Sequence, residues 1–93
     1  MKLSSEIEYR TETGESIHAR YYRLNDGSLS FAKIRLPGGS EATLPNVLSA
    51  SGAKYSDGRR YTWWTKGNTA FLEVRGSDGT WQLRYRDCVA IQR

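Results

Sequence analysis

Short stretches of the chain alternate between apolar and polar residues. The clearest apolar faces are Ile17, Ala19 and Tyr21, then Ala70, Leu72 and Val74, then Trp81, Leu83 and Tyr85. A period of two residues is that of a β-strand with one buried face. No window of helical length keeps a 3.6-residue period with capping residues at its ends. The pattern therefore predicts an all-β protein.

Glycine-bearing turns separate these stretches at regular intervals, and several contain Asp-Gly pairs, which tolerate positive φ and favour tight hairpins. The predicted strands are residues 7–11, 16–24, 28–36, 41–44, 50–55, 61–66, 69–75 and 80–87. A run of about eight short strands in chain order is an antiparallel meander. So small a sheet hides its two edges by closing, and the sequence predicts a small antiparallel β-barrel.

The third predicted strand does not alternate cleanly. Leu29 and Phe31 share one parity, whereas Ile34 and Leu36 share the other. A β-bulge between the two pairs would bring both to the same side of the sheet. The alternative is a strand with two buried faces.

Length and charge limit the classes of protein that remain. The 93 residues make one domain, 1–93, and exclude a two-domain enzyme. Fourteen Lys and Arg against ten Asp and Glu give a net charge of +4, which permits an acidic partner without specifying one. No stretch approaches the roughly 18 apolar residues of a transmembrane span. The first residues lack a signal-peptide core and a lipid-attachment cysteine, which indicates a chain made without a signal or a mature segment.

Side chains for catalysis or metal binding are scarce. Cys88 is the single cysteine and His18 the single histidine, which excludes an intrachain disulfide and a thiolate-rich metal site. His18 lies on the polar parity of its strand and is predicted to face solvent. The carboxylates are scattered among basic residues at turns. The sequence therefore predicts no enzyme, no catalytic residue, no metal site and no cofactor.

Rings, cations and small residues concentrate in residues 49–68. The segment contains Lys54, Tyr55, Arg59, Arg60, Tyr61, Trp63, Trp64 and Lys66. In a strand Trp63 and Trp64 point to opposite faces, so one of them lies outside the core unless something covers it. Exposed aromatics beside Arg and Lys are typical of recognition surfaces. The structural alternative is a hairpin with one ring that shields an open barrel end.

Two linked motifs in this segment resemble a known family. They are SGAKY at 51–55 and YTWWTKG at 61–67, which look like the paired signature Ser-Gly-x-x-Tyr and Tyr-x-x-x-Thr-Lys-Gly of the MliC/PliC family. Tyr9, Leu44-Pro45 and the C-terminal Cys88 extend the likeness over most of the chain. Members of this family are small antiparallel barrels that inhibit C-type lysozyme in the bacterial envelope. The resemblance implies a periplasmic or outer-membrane-anchored lysozyme inhibitor, which we expect to be a monomer or weak dimer.

The resemblance also implies a mode of inhibition in which the first-motif loop enters the lysozyme cleft. Lysozyme works with one protonated and one ionised carboxyl group. Ser51 can hydrogen-bond either form, because a hydroxyl both donates and accepts, and Gly52 lets the backbone turn sharply. Lys66 can set a positive charge against the ionised carboxylate.

Three further residues complete the lysozyme-binding set that the resemblance implies. Tyr55 is predicted to pack under the loop, Thr65 to hold the hairpin from behind, and Tyr61 to belong to the second motif. Each assignment has a structural alternative: turn chemistry for Ser51, a solvated side chain for Lys66 and a core ring for Tyr55.

The chain departs from the family pattern in its first strand. The family has Tyr-x-Cys there, paired by a disulfide with the C-terminal cysteine, whereas this chain reads Tyr9-Arg10-Thr11. Thr11 therefore stands where the partner of Cys88 would be. Packing alone is expected to hold the two ends together, and Cys88 is left available for an intermolecular bond.

Two other functions remain open at this stage. The first is a single-stranded nucleic-acid binder that stacks bases on rings and contacts phosphates with Arg and Lys. Its candidate residues are Tyr21, Tyr22, Phe31, Arg35, Arg60 and Trp63. The paired motifs outweigh this reading, so nucleic acid is not the expected partner. The second is a structural envelope protein that keeps the barrel without inhibition.

Overall fold

Eight strands form a closed antiparallel barrel in the computed structural model, which describes residues 2–23, 30–47 and 52–91. The strands are β1 Lys2–Arg10, β2 Ser16–Arg23, β3 Ser30–Arg35, β4 Glu41–Val47, β5 Ala53–Ser56, β6 Tyr61–Lys66, β7 Thr69–Arg75 and β8 Trp81–Ala90. Each pairs with the next along the chain, which confirms the predicted meander and barrel. Among the described residues, none lies in a helix long and apolar enough to cross a membrane.

Closure of the barrel depends on a short seam between β1 and β8. Tyr9 lies opposite Ala90 and Arg10 opposite Val89. The N–H of Ile91 donates to the carbonyl of Glu8 at 2.8 Å and extends the seam by one bond. Closure removes the free sheet edges, which otherwise invite pairing with other chains.

The interior is filled by inward side chains from both halves of the chain. The buried apolar residues are Tyr9, Ile17, Ala19, Tyr21, Ala32, Ile34, Leu44, Trp63, Ala70, Leu72, Tyr85 and Cys88. Trp63 is fully buried, and its Nε1 donates to the Tyr21 hydroxyl at 2.9 Å. The Tyr9 ring meets the Trp63 ring edge-on at 5.1 Å between centroids. These contacts join β1, β2 and β6 across the barrel.

The predicted face of β8 is wrong in its first half. Tyr85 is buried, but Trp81 and Leu83 are exposed. Glu73 lies opposite Leu83, whereas the preceding Leu72 lies opposite Tyr85, so β8 contains an extra residue at this point. The extra residue reverses which parity faces inward.

Of the two alternatives for the third strand, the structure lacks the bulge. β3 pairs with β2 and β4 without a register shift. Ala32 and Ile34 face the interior, while the Phe31 ring stacks on Tyr22 at 5.0 Å. Leu29 lies outside the described residues. The outward apolar side chain at Phe31 is therefore covered by a neighbouring ring rather than turned inward.

His18 lies on the outer wall of β2, as its parity predicts. The ring is partly exposed, and its Nε2 lies 3.1 Å from the Glu6 carboxylate on β1. Two further ion pairs lie on this wall, since Glu41 on β4 contacts Arg35 on β3 and Arg20 on β2. Exposed pairs of this kind contribute little to stability.

Cys88 is fully buried, so the expectation that it is available for an intermolecular bond is wrong. Burial, with the nearby charges of Glu12 and Asp87, raises the pKa of the thiol to about 11. The thiol is therefore neutral near pH 7 and packs as a small apolar group.

Thr11, at the position of the missing cysteine, is buried next to the seam. Its hydroxyl accepts the N–H of Glu15 at 3.1 Å and lies 3.0 Å from the Thr13 hydroxyl. Thr11, at the position of the family's first cysteine, thus stabilises the turn between β1 and β2.

We predict that Thr11→Cys forms a disulfide with Cys88, because continuing the β1–β8 ladder by one residue sets the two opposite each other. In oxidising buffer the melting temperature should rise by more than about 5 °C, since the bond closes most of the chain into one loop. Thr11→Ser and reduced Thr11→Cys are the controls, because they separate the disulfide from loss of the hydroxyl. An unchanged melting temperature with the disulfide confirmed by mass would contradict the family pairing.

Candidate functional site

The two sequence motifs lie on one hairpin, formed by β5 and β6. Ala53 pairs with Thr65 and Ser56 with Thr62. The turn of this hairpin, residues 57–60, is at one end of the barrel. The open end of the hairpin therefore brings Gly52 close to Thr65, at the opposite end of the barrel.

Gly52 is fixed by a close backbone approach. Its φ is +68°, and a Cβ at this position would collide with the Thr65 carbonyl oxygen and lie 3.3 Å from Trp64 Nε1. Only glycine meets both conditions, because it has no Cβ and tolerates positive φ. The motif glycine is therefore required by the packing of the loop on β6.

Tyr55 connects this loop to the barrel interior. The side chain is half-buried and points inward from β5, with its ring 5.3 Å from the Tyr21 ring. Burial raises the pKa of Tyr55 above its usual value, so the hydroxyl remains neutral. The ring thus packs at the edge of the core, and its place under the loop stays a prediction.

A depression of about 210 Å³ opens at the same barrel end. Its lining includes the rings of Tyr9, Tyr21 and Tyr55 together with Thr65 and Gly67. The rings form a floor, and the second motif forms part of the rim. Burial raises the pKa of Tyr21 well above its usual range, so this floor carries no charge near pH 7.

Thr65 and Lys66 point in opposite directions from the end of β6. The Thr65 hydroxyl donates to the Ala53 carbonyl at 3.4 Å and ties the two strands together. Lys66 is exposed, and its carbonyl accepts the Thr69 hydroxyl at 2.9 Å, which closes the turn at Gly67. Within the described parts of the chain, no ion pair engages the Lys66 ammonium group. Its charge is therefore available to a partner.

Tyr61 lies at the other end of β6, next to the hairpin turn. There the Asp57 carboxylate accepts the N–H groups of Arg59, Arg60 and Tyr61 at 2.9, 2.9 and 3.1 Å. Partial burial would raise the pKa of Asp57, but these backbone hydrogen bonds outweigh it and lower the pKa. The Tyr61 ring is half-buried under the Arg60 guanidinium. The fold therefore separates Tyr61 from the loop end.

The structure thus brings together Gly52, Tyr55, Thr65 and Lys66, while Ser51 lies outside the described residues. Sequence analysis placed neither Tyr21 nor Trp64 at this site. Tyr21 shares a parity with Ile17 and Ala19, and that signal predicts burial without showing which loop the ring supports.

The rings proposed as stacking platforms for nucleic acid are already packed against other parts of the protein. Tyr21 and Trp63 are buried, and Tyr22 and Phe31 stack on each other. Bases need exposed ring faces to stack on. These four rings therefore do not form the platform that this alternative requires.

The protein is a small closed antiparallel barrel in which Gly52 packs on Thr65 beside the exposed Lys66. These features are those of a binding protein. The family described as "Membrane-bound lysozyme-inhibitor of c-type lysozyme" (MliC) matches residues 9–81. The chain belongs to this family, which is one of inhibitor proteins and not of enzymes.

Two named relatives and one solved structure show how far the similarity extends. The membrane-bound lysozyme inhibitor of C-type lysozyme from Pseudomonas aeruginosa is 42% identical over 66 residues, which cover 71% of this chain and 50% of that protein. The Yersinia enterocolitica protein of the same name is 66% identical over 35 residues, covering 38% of this chain and 29% of that protein. This chain therefore spans at most about half of either relative.

The structural likeness covers more of the chain. The crystal structure of Pseudomonas aeruginosa MliC in complex with hen egg white lysozyme superposes with a TM-score of 0.72 at 34% identity. The match covers 97% of this chain and 85% of that chain. The barrel is thus the fold of that inhibitor.

We predict that Gly52→Ala destabilises the protein by at least about 1 kcal/mol more than Gly58→Ala. Both glycines have nearly the same positive φ, +68° and +69°, but a Cβ at Gly58 meets no atom within 4 Å. Strain is therefore common to both variants, and only Gly52→Ala adds the collision with Thr65. Urea unfolding measures the difference, and equal losses would contradict the close approach.

Proposed function

We propose that the protein inhibits C-type lysozyme by occupying its active-site cleft with the loop at Ser51 and Gly52 and the turn at Lys66. The observation that carries the proposal is the packing of Gly52 on Thr65, which joins the two motifs at one end of the barrel. The related inhibitor of the same fold was crystallised with hen egg white lysozyme. Inhibition is by occupancy, without chemical change to the enzyme.

The chemistry of the two side chains suits a cleft with a protonated and an ionised carboxyl group. The Lys66 ammonium group pairs with the ionised carboxylate, and such a charge-assisted bond is stronger than a neutral one. The Ser51 hydroxyl can bond either carboxyl group, the ionised one included, because a hydroxyl both donates and accepts. Gly52 permits the close approach of the loop backbone to the cleft wall.

The residues behind the loop position it rather than contact lysozyme. Tyr55 packs on Tyr21, and Thr65 ties β6 to Ala53, so the residues that follow Gly52 are held by the barrel. Residues that are already held lose less conformational entropy on binding. Tyr61 acts through the far end of the hairpin, where Asp57 fixes the turn.

Contacts between the site and the lysozyme cleft provide the affinity, because long-range electrostatic attraction does not. The chain carries a net charge of +4, and C-type lysozymes are generally basic. Two positive proteins repel at long range, so association is not electrostatically steered.

The proposal locates the protein in the bacterial envelope, periplasmic or anchored to the outer membrane. The named relatives are called membrane-bound. It also takes the protein to be a monomer or weak dimer, since the closed barrel leaves no edge strand for pairing among the described strands.

We predict that an equimolar, micromolar mixture of this protein with a C-type lysozyme lyses cell walls more slowly than the lysozyme alone. Turbidity of a cell-wall suspension measures the rate, and the heat-denatured protein is the control. A full lytic rate at a large excess of this protein would end the proposal and favour the structural role in the envelope.

We predict that Lys66→Ala weakens lysozyme binding by about 2 to 5 kcal/mol, chiefly through faster dissociation, because a buried carboxylate loses its cation. Ser51→Ala should cost roughly 1.5 to 3 kcal/mol, the value of a hydrogen bond to a charged group. Lys33→Ala removes the same charge from β3 and should leave binding unchanged. Binding kinetics measure all three.

Folding of these variants must match the parent, as checked by circular dichroism and thermal melts, because Lys66 is an exposed residue at the end of a hairpin. If Lys66→Ala and Ser51→Ala both bind as tightly as the parent, the loop does not block the cleft.

A further inference from the structure

A second concave surface lies on the outer wall of the barrel. It has a volume of about 480 Å³ and is lined by Lys54, Ser56, Asp57, Thr62, Glu73 and Trp81 among others. These residues point outward from β5 to β8, and we call the surface the outer groove. A barrel wall is convex, so a groove needs projecting walls. The turn at Asp57 and Gly58 is one wall, and the Trp81 ring belongs to the other.

The Trp81 ring is exposed to solvent, and a neighbouring side chain supports its orientation. The indole is 37% exposed, although tryptophan usually lies in the core. The Arg75 guanidinium lies 6.0 Å from the ring centroid and donates to the carbonyls of Gly79 and Gly58 at 3.1 and 3.4 Å. These bonds fix the arginine, and the arginine in turn supports one side of the ring.

Hydrogen-bonding groups lie beside this ring. The Ser56 and Thr62 hydroxyls form the floor, 3.0 Å apart, and Thr62 is nearly fully buried although it points outward. Glu73 lies opposite Thr62 on the next strand. Within the described ranges, no hydrogen bond or ion pair engages the Glu73 carboxylate. It can accept two hydrogen bonds from a ligand.

Both signs of charge occur around the outer groove. Lys54, Asp57 and Glu73 line it, and the Arg75 guanidinium lies beside the Trp81 ring. An anion such as a phosphate would meet the carboxylates, and a cationic peptide would meet the lysine and arginine. A neutral ligand with many hydroxyl groups pairs with donors and acceptors alike.

We propose that the outer groove binds a neutral saccharide, with Trp81 as the platform for a sugar ring and Glu73 as an acceptor for its hydroxyls. The C–H groups on one side of a pyranose ring form an apolar face that packs on the negative face of an indole. The hydroxyls at the ring edge reach Glu73 and Lys54. The groove lies on the barrel wall, whereas the lysozyme-binding loop lies at a barrel end, so this proposal is independent of the inhibitory function.

The test uses the ¹⁵N-labelled full chain without lysozyme, titrated with cellotetraose, maltotetraose and tetra-N-acetylchitotetraose up to about 10 mM, a range suited to weak sites. We expect amide shifts confined to the strands around Glu73 and to the Trp81 indole for at least one of the three. Trp81→Ala and Glu73→Ala should each weaken the response about tenfold. Val89→Ala, an exposed apolar residue at the far end of the same strand, should leave it unchanged.

The proposal is overturned if none of the three saccharides shifts the groove amides, or if Trp81→Ala responds like the parent. It is equally overturned if the groove responds only to a sulfated oligosaccharide or to an arginine-rich peptide. Trp81→Ala should still inhibit lysozyme like the parent, so failure of the saccharide test and failure of the inhibition test are distinguishable.

Discussion

The hydrogen bond from Trp63 to Tyr21 is the constraint on which the rest of the barrel depends. Trp63 is the largest fully buried side chain, and an indole N–H buried without a partner costs about 1 to 3 kcal/mol. The Tyr21 hydroxyl accepts this N–H and lies 3.2 Å from the Tyr9 hydroxyl. Strands β1, β2 and β6 must therefore meet in one register. The hydrogen-bonded indole and hydroxyl groups specify this register, which apolar burial alone would not determine.

The same cluster determines the geometry of the site. Tyr55 packs on Tyr21, and Tyr55 lies three residues from Gly52, so the loop is connected to the barrel centre through two rings. Gly52 then rests against β6 at Thr65. This support holds Gly52 in place before any partner arrives, which lowers the entropic cost of association.

Sequence periodicity predicted the buried face correctly in strands that pair in regular register. It failed where the register shifts. The faces at Ile17 and at Ala70 are buried as predicted, because β2 pairs residue for residue with β3, and β7 with β6. Leu83 is exposed because β8 carries an extra residue, and a bulge leaves no mark on the alternation itself. The bulge expected in β3 is absent because Phe31 is covered by Tyr22 on the outer wall.

The candidate site followed from motifs rather than from periodicity. Residue spacing shows that the motifs at 51–55 and 61–67 can share a hairpin, and β5 and β6 do pair in this way. Spacing cannot show that Tyr61 lies at the opposite end from Lys66, or that Tyr21, distant in sequence, supports the loop. Those facts arise from strand order and barrel closure, which are long-range properties of the whole chain.

The seam between β1 and β8 has a consequence for how the protein is made. Tyr9 and Ala90 are neighbours in space but stand near opposite ends of the sequence, so their contact carries the largest loop-closure cost in the sheet. During synthesis β1 leaves the ribosome long before β8 exists, and until then it can pair on one edge only, with β2. The open edge of β1 is exposed to other chains for that interval. The nascent chain is therefore most prone to aggregation just before its last strand emerges.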